Sequence, residues 1–215
     1  MNLKQTKQSI IDFIKAQAGD KPVVLGLSGG IDSTLVIYLA VEALGAEKVH
    51  GLVMPSDTNT EQDLVLAENI VRILGLKSYV LSLDSIIQSY TNTLNSKLSK
   101  TTLGNLKART RMTLLYSKAN ELNGLVLGTG NKTEIAIGYF TKYGDGGVDI
   151  LPIGDLYKTE VRELAKYIGV PQEIIDRPPT AGLWEGQTDE EELGITYDIL
   201  DKILKTLENN ESLDN

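Results

Sequence analysis

The sequence predicts an α/β fold, an open parallel sheet with helices on both of its faces. Four short apolar runs, rich in Val and Leu, are typical of strands that are buried on both faces. These runs lie at 23–27, 49–54, 78–83 and 124–129. Helical patterns separate them, and strand–helix alternation favours a parallel sheet with right-handed crossovers. No internal repeat or long linker divides the sequence, so residues 1–215 are expected to form a single domain.

Hydrophobic periodicity predicts a helix before the first strand and further helices between and after the strands. The predicted bounds are 4–17, 33–44, 61–75, 105–121 and 157–168. In the first helix, four apolar residues share one face. They are Ile10, Ile11, Phe13 and Ile14.

The remaining stretches are expected to be loops. Ser, Thr and Asn dominate 88–104, which predicts a loop or a small insertion. Glycines punctuate 139–158 around a short apolar piece, and 176–194 is expected to be a loop that runs into an acidic helix start. The last residues, 205–215, are expected to fray.

Composition excludes several classes of protein. The net charge of −8, from 29 acidic and 21 basic residues, argues against a broad nucleic-acid surface, although a few converging cations would still bind a small anion. The absence of cysteine excludes disulfides, thiolate metal sites and a thiol nucleophile. No run of 18 apolar residues and no signal-peptide pattern is present, so we expect a cytoplasmic protein with no membrane partner.

A glycine-rich loop, GLSGGIDS at 26–33, follows the first predicted strand. It is not a Walker A loop, because the second glycine and the lysine would fall on Ile31 and Asp32. It does not match the G-x-G-x-x-G pattern either. The loop nevertheless stands between a strand and a helix, which is where nucleotide phosphates bind in parallel sheets.

The residue types of this loop suit an anion. Gly29 and Gly30 allow backbone N–H groups to approach a ligand closely, and Ser28 and Ser33 add hydroxyl donors. A carboxylate at Asp32 would repel a phosphate unless a cation lay between the two. The simpler alternative is that Asp32 or Ser33 only caps the following helix.

A second carboxylate follows the fourth predicted strand. The segment LGTGNKTEIAIGYF at 127–140 ends this strand in a glycine turn, and Glu134 opens the next helical piece. An isolated glutamate at that position would most simply complement the helix dipole. Because parallel strands end at the same edge of a sheet, we expect Glu134 at the edge that carries the glycine-rich loop.

The motif SGGIDS after a first strand resembles the PP-loop of the ATP pyrophosphatases, which cleave ATP between its α and β phosphates. Three further segments make the resemblance specific to the ammonia-dependent NAD synthetases, and they lie at 104–112, 128–165 and 178–194. The resemblance implies the fold of adenine nucleotide α hydrolases. It also implies amidation of deamido-NAD⁺ with ATP and ammonia through an acyl adenylate, yielding NAD⁺, AMP and pyrophosphate as the last step of NAD biosynthesis.

The same resemblance implies roles for individual residues. Catalysis would depend on Asp32, Glu134 and Lys158, and the two carboxylates would bind Mg²⁺, which would bridge them to phosphate oxygens. Deamido-NAD⁺ would contact Arg109, Lys142 and Asp149. ATP would contact Gly26, Leu27, Ser28, Gly29, Gly30, Ile31, Asp32, Ser33, Thr129, Lys158 and Thr180. Members of the family are homodimers with substrate sites near the interface, so a homodimer is expected.

Several of these residues have simpler alternatives. Arg109 and Lys142 could be solvated surface charges, and Lys158 could pair with a Glu on its own helix. Trp184 is expected to pack rather than to stack on a ligand. The acidic run at 189–192 is typical of the first turn of a helix.

The sequence departs from the family pattern at its end. Members usually finish in a segment with His and Lys that reaches the substrate, whereas this sequence stops at Asn215 and its only histidine is His50. We expect that departure to affect substrate affinity more than the chemistry. The synthetase pattern nearly fills the sequence, so no glutaminase domain is expected.

Two other functions remain open on this fold. One is a different PP-loop ligase, acting on tRNA or on a purine nucleotide. The other is a non-catalytic regulator that binds ATP. A thiolating tRNA enzyme would normally have cysteines and a basic surface, and this sequence has neither.

Overall fold

The computed structural model describes residues 1–184 and 186–209. Its strands are β1 (Val23–Gly26), β2 (Val49–Val53), β3 (Lys77–Val80) and β4 (Leu125–Val126). Its α-helices are α1 (Leu3–Ala18), α2 (Ile31–Leu44), α3 (Glu61–Leu74), α4 (Asp84–Leu94), α5 (Lys100–Leu122), α6 (Lys132–Ile137), α7 (Lys158–Ile168), α8 (Gln172–Ile175), α9 (Asp189–Leu193) and α10 (Tyr197–Glu208).

Within the described residues, the strands form one parallel sheet in the order β3-β2-β1-β4. Strand β1 is central, since Val23 lies opposite both Val49 of β2 and Leu125 of β4. Just beyond β4, Leu127 forms an isolated parallel bridge with Ile150. The carboxyl ends of β1 and β4 are therefore neighbours, and the loops that follow them leave the same edge of the sheet.

Helices cover both faces of the sheet, as predicted. Val23 and Leu25 of β1 join a large apolar cluster with residues of α1, α2 and α7, such as Leu35. The intervening Val24 belongs to a second cluster, which includes Ala119 of α5. This alternation follows from the two-residue period of a strand, which sends successive side chains to opposite faces.

The third predicted strand is less buried than expected. The prediction for 78–83 was a strand buried on both faces, but β3 is the edge strand and Val80 is 59% exposed. An edge strand has a neighbour on one side only, so less of its surface is covered. Its apolar run therefore does not identify its place in the sheet.

The prediction of a loop or insertion at 88–104 was wrong for most of its length. Helix α4 extends to Leu94, and α5 begins at Lys100, leaving only 95–99 without a helix. Ser99 caps α5 by accepting a hydrogen bond from the backbone N–H of Thr102. Caps and packing against α5 outweigh the weak helix propensity of Ser, Thr and Asn in this stretch.

Two smaller predictions need correction. Phe13 is 42% exposed, whereas Ile10, Ile11 and Ile14 are buried, because Phe13 lies at the border of the apolar stripe. The expected frayed end at 205–215 is helical up to Glu208, and 210–215 lie outside the described residues. Throughout the described part of the chain, no helix combines the length and apolar character that a membrane crossing requires.

Candidate active site

The glycine-rich loop joins β1 to α2 and turns back on itself through its two serines. The hydroxyls of Ser28 and Ser33 lie 3.1 Å apart, and the backbone N–H of Gly30 donates to Ser28 Oγ at 3.2 Å. Gly29 adopts φ +76°, and a Cβ there would lie 2.9 Å from the backbone oxygen of Asp63. Glycine is thus required at position 29 for both conformation and space.

Asp32 does not cap the helix, so the simpler of the two alternatives for this residue does not apply. The N-cap of α2 is Gly30, and no side chain makes a capping hydrogen bond there. Asp32 instead lies in the first turn and contacts Asn131, the residue before α6, and Lys158 of α7. Its carboxylate is therefore available for a role at the cleft.

Lys158 joins the two carboxylates that the sequence placed at this edge of the sheet. Its Nζ lies 2.5 Å from Asp32 Oδ2 and 3.4 Å from Glu134 Oε1. The residue is only 2% exposed. This geometry excludes the alternative in which Lys158 pairs with a Glu on its own helix.

Burial and charge act in opposite directions on these groups. Burial raises the pKa of Glu134 to about 7; the charge of Lys158 opposes this shift and the charge of Asp32 adds to it. For Lys158, burial alone would lower the pKa, but the charges of Asp32 and Glu134 outweigh burial and raise it above its ordinary value. The two carboxylates thus favour the charged form of Lys158 in a desolvated position.

A buried polar network also surrounds Lys158. The Lys158 ammonium lies 5.2 Å from the centre of the Tyr197 ring, and Tyr197 donates to Asp189 Oδ2 at 3.0 Å. Burial raises the pKa of Asp189, against the effect of Lys158. Asp189 also accepts from the backbone N–H of Ala181 at 2.9 Å, which holds the 176–188 loop against this network.

The loop and the three central side chains open on one cleft of about 450 Å³. The cleft includes most of the residues predicted to contact ATP. Those that line it are Gly26, Leu27, Ser28, Gly30, Ile31, Asp32, Ser33, Thr129, Lys158 and Thr180. Gly29 is not among them, and its carbonyl accepts from Arg177 Nη1 at 3.2 Å. Trp184 also lines the cleft rather than only packing.

Two arginines of the cleft were not identified from the sequence. Arg111 of α5 donates from Nε to the carbonyl of Met54 at 3.2 Å, and burial lowers its pKa. Arg177 pairs with Asp63 of α3. The available signal for Arg111 was its place in the 104–112 segment that carries the resemblance, whereas Arg177 lies in an irregular loop where spacing predicts nothing. Together with Lys158, these arginines are the cations that line the cleft within the described residues, and Lys158 and Arg177 are each paired with carboxylates.

The three residues predicted to bind the dinucleotide do not line this cleft. Arg109 is exposed on α5, and its Nε donates to the carbonyl of Lys142 at 3.1 Å. Asp149 accepts from Tyr116 Oη at 3.0 Å and from the backbone N–H of Val126 at 2.8 Å. The structure therefore brings Arg109 and Lys142 together at the surface and uses Asp149 to fasten a loop to β4.

The donor set fits a magnesium ion that binds together with a nucleotide. Among the described residues, no cluster of three or more His, Asp or Glu side chains could hold a metal. However, Asp32 and Glu134 both reach a single cation, the Lys158 ammonium. Mg²⁺ is usually held by one or two carboxylates, with substrate phosphates and waters completing its shell.

A parallel sheet with a serine–glycine loop after its central strand and a carboxylate pair at the same edge defines a PP-loop ATP pyrophosphatase fold. Comparison with known proteins narrows this class. The family model described as NAD synthase matches residues 3–215, so the chain belongs to the NAD synthase family.

Individual relatives agree with this assignment. The chain is 51% identical over 218 residues to an NH(3)-dependent NAD(+) synthetase of Archaeoglobus fulgidus, covering 100% of this chain and 88% of the relative. The structure of an NMN synthetase from Francisella tularensis has a TM-score of 0.91 and 37% identity, covering 100% and 89% of the two chains. An NH3-dependent NAD synthetase from Campylobacter jejuni, in complex with the nitrate ion, has a TM-score of 0.82 and 35% identity, covering 98% and 85%.

Proposed function

We propose that this protein is an ammonia-dependent NAD⁺ synthetase, a carbon–nitrogen ligase that forms AMP. It amidates deamido-NAD⁺ with ammonia at the expense of ATP, which is the last step of NAD biosynthesis. The observation that carries the proposal is the buried Lys158 ammonium between Asp32 and Glu134, at the mouth of the serine–glycine loop. The relatives named above support the choice of substrates.

The reaction has two steps that need no protein nucleophile. A carboxylate oxygen of the nicotinate attacks the α phosphorus of ATP, and the bond from this phosphorus to the bridging oxygen breaks. Pyrophosphate leaves with that electron pair, and an acyl adenylate is formed. The nitrogen of ammonia then attacks the acyl carbon, AMP leaves with its oxygen, and the nitrogen loses a proton to give the amide.

The chain's own groups position the reactants and neutralise charge. In this proposal, backbone N–H groups and hydroxyls of residues 28–33 hold the departing pyrophosphate at the start of α2, where the helix N-terminus favours an anion. Lys158 offers a fixed positive charge beside it, and Thr129 and Thr180 extend the contacts along the cleft. Such preorganised charge and positioning are the main sources of catalysis in phosphoryl transfer.

Asp32 and Glu134 would hold Mg²⁺ in this scheme. When bound, the ion supplies positive charge to the phosphate oxygens of ATP. Lys158 would then share both carboxylates with a second cation.

The proposal assigns the nicotinate end of the substrate to the surface beside the cleft. Arg109, Lys142 and Asp149 lie there on α5 and on the 139–149 loop, outside the cleft of a single copy. We propose that the protein is a homodimer in which this surface is completed near the interface. A single synthetase domain over 1–215 and a cytoplasmic location stay predictions of the sequence.

A second candidate substrate is the nicotinate mononucleotide. The resemblance to the NMN synthetase structure, at a TM-score of 0.91, favours it as an alternative for the same amidation chemistry. Both substrates present the same nicotinate carboxylate. They differ in whether an adenylate is attached, which is a part of the substrate remote from the reacting atoms.

Pyrophosphate release by the purified protein separates the candidates. The assay contains ATP, Mg²⁺ and ammonium, with deamido-NAD⁺, nicotinate mononucleotide or neither. We expect release that requires deamido-NAD⁺ and exceeds that with the mononucleotide, together with formation of NAD⁺. A preference for the mononucleotide would assign the second function, and ATP binding without any release would indicate a regulator. Release that requires tRNA or a purine nucleotide would indicate a different ligase.

A further inference from the structure

Asn131, the residue before α6, makes three hydrogen bonds to the carboxylate pair and its helix. Its Nδ2 donates to Asp32 Oδ1 at 3.0 Å. Its Oδ1 accepts from the backbone N–H of Glu134 at 3.0 Å, and its own backbone N–H donates to Glu134 Oε2 at 3.2 Å. The side chain is fully buried at 0% exposure.

Two of these bonds are an ordinary capping box, and the third is not. A capping box needs only a side-chain oxygen at the N-cap and a Glu at the third helical position. Serine, threonine or aspartate would provide that oxygen about as well as asparagine. The bond to Asp32 crosses from β4's loop to α2, and it uses the amide N–H donor, which none of those residues has.

The bond to Asp32 controls how that carboxylate faces the cleft. The torsion about the bond to a carboxylate carbon has a broad energy profile, so a carboxylate turns easily when only one oxygen is held. Asn131 holds Oδ1 of Asp32, which leaves Oδ2 directed at Lys158. On the other side, the backbone of Asn131 holds Oε2 of Glu134 and leaves Oε1 directed at the same ammonium.

We propose that Asn131 is a positioning residue that orients Asp32 and Glu134 toward a common cation. It touches neither the nucleotide nor the metal in this role and acts through the two carboxylates. The inference rests on the proposed metal-binding function of this pair. Groups that orient metal ligands in this way typically contribute 10- to 100-fold to metal affinity or activity.

The test measures Mn²⁺ binding by electron paramagnetic resonance, with an ATP analogue that carries a methylene between the α and β phosphates. Asn131→Ser keeps a capping oxygen, but it replaces the amide N–H donor with a hydroxyl on a shorter side chain and so moves the donor away from Asp32. We expect its Mn²⁺ affinity to fall about tenfold, while its melting temperature stays within a few degrees of the wild type. Asn2→Ser is the matched control, because Asn2 caps α1 by accepting from the backbone N–H of Gln5, away from the cleft.

The outcomes distinguish this inference from the function on which it depends. If Asp32→Asn lowers Mn²⁺ affinity but Asn131→Ser does not, Asn131 is a helix cap only and the inference is overturned. If Asp32→Asn has no effect either, the metal assignment fails and the inference fails with it. Should Asn131→Ser lack a cooperative unfolding transition, Asn131→Thr is measured under the same criteria, since threonine also caps but cannot donate an amide N–H.

Discussion

The hydroxyl of Thr133 donates a hydrogen bond to Asp201 Oδ1 over 2.5 Å, although 68 residues separate them in the sequence. The other oxygen of Asp201 accepts from the backbone N–H of Thr159 at 2.7 Å, and Thr133 Oγ1 accepts from the backbone N–H of Lys158 at 2.9 Å. A single carboxylate of α10 thus joins the first turns of α6 and α7. These turns carry Glu134 and Lys158, so α10 sets the spacing of the site.

We predict that Asp201→Ala lowers the free energy of unfolding by about 2–4 kcal/mol. The change leaves the buried Thr133 hydroxyl and the partly buried Thr159 N–H without their acceptor, at a residue that is only 1% exposed. Urea denaturation measures this loss in the free energy of unfolding. Asp198→Ala on the same helix is the control, because the side chain of Asp198 is 68% exposed and its 3.7 Å pair with Arg162 is expected to contribute little. Equal effects of the two substitutions would contradict the role given to Asp201.

The carboxylate pair gives the second prediction. Asp32→Asn and Glu134→Gln should each remove most of the synthetase activity, because each weakens the bridge from Mg²⁺ to the phosphates. The double variant should be little worse than either single variant, since both side chains serve one cation. Initial rates measured over a range of Mg²⁺ concentrations check this.

The controls for the second prediction are the same substitutions at exposed positions. Asp20→Asn and Glu163→Gln remove a surface charge without touching the cleft, and their rates should match the wild type. Near-normal turnover of Asp32→Asn at low Mg²⁺ would show that Asp32 has no metal-binding role.

The sequence predicted the sheet and the position of the site because both depend on local patterns. Apolar runs and helical periods identify strands and helices, and the rule that ligands bind at the carboxyl ends of strands places the loops at 26–33 and 127–134. These patterns do not show which strands lie next to each other in the sheet. The adjacency of β1 and β4, which brings Asp32 to Glu134, became known only from the structure.

Residues whose role depends on distant packing could not be predicted in the same way. Asn131 has the sequence of a helix cap, and its bond to Asp32 spans 99 residues. Arg177 precedes two prolines in an irregular loop, and its partner Asp63 lies on α3. The helix α4 was missed because its polar residues have weak helix propensity, and its contact with α5 joins residues that are distant from any local pattern.

A third prediction compares two arginines of α5 that lie two residues apart. Arg111 lines the cleft and makes two polar contacts at the end of β2, whereas Arg109 is exposed beside Lys142. Lysine keeps the charge but cannot reproduce the fork of an arginine. We therefore expect Arg111→Lys to lower kcat/KM for ATP about tenfold. Arg109→Lys should raise KM for deamido-NAD⁺ and leave KM for ATP unchanged. Steady-state kinetics in which each substrate is varied in turn tests this assignment. It would be rejected if both variants changed the kinetic constants of the same substrate.

The fourth prediction concerns the loops at 139–149 and 176–188, which border the cleft. We expect them to become less accessible when ATP and deamido-NAD⁺ bind, because an acyl adenylate must be shielded from water. Limited proteolysis with chymotrypsin tests this, since Tyr143 is 66% exposed in the first loop. Cleavage there should slow with both ligands, while cleavage at Tyr90, which is 44% exposed on α4, should not. Equal rates at Tyr143 with and without ligands would argue against closure.

The fifth prediction concerns the nitrogen source. Release of ammonia from glutamine by an amidase normally uses a cysteine thiolate as the nucleophile, and these 215 residues contain no cysteine. The purified chain should therefore use ammonia directly and should not accept glutamine in its place. The reactive species is neutral ammonia, because the ammonium ion has no lone pair with which to attack the acyl carbon. At fixed total ammonium, the rate should rise with pH across the neutral range as the neutral fraction grows. The measurement is amide formation with glutamine as sole donor, after contaminating ammonia has been removed enzymatically, and turnover equal to that with ammonium would refute the prediction.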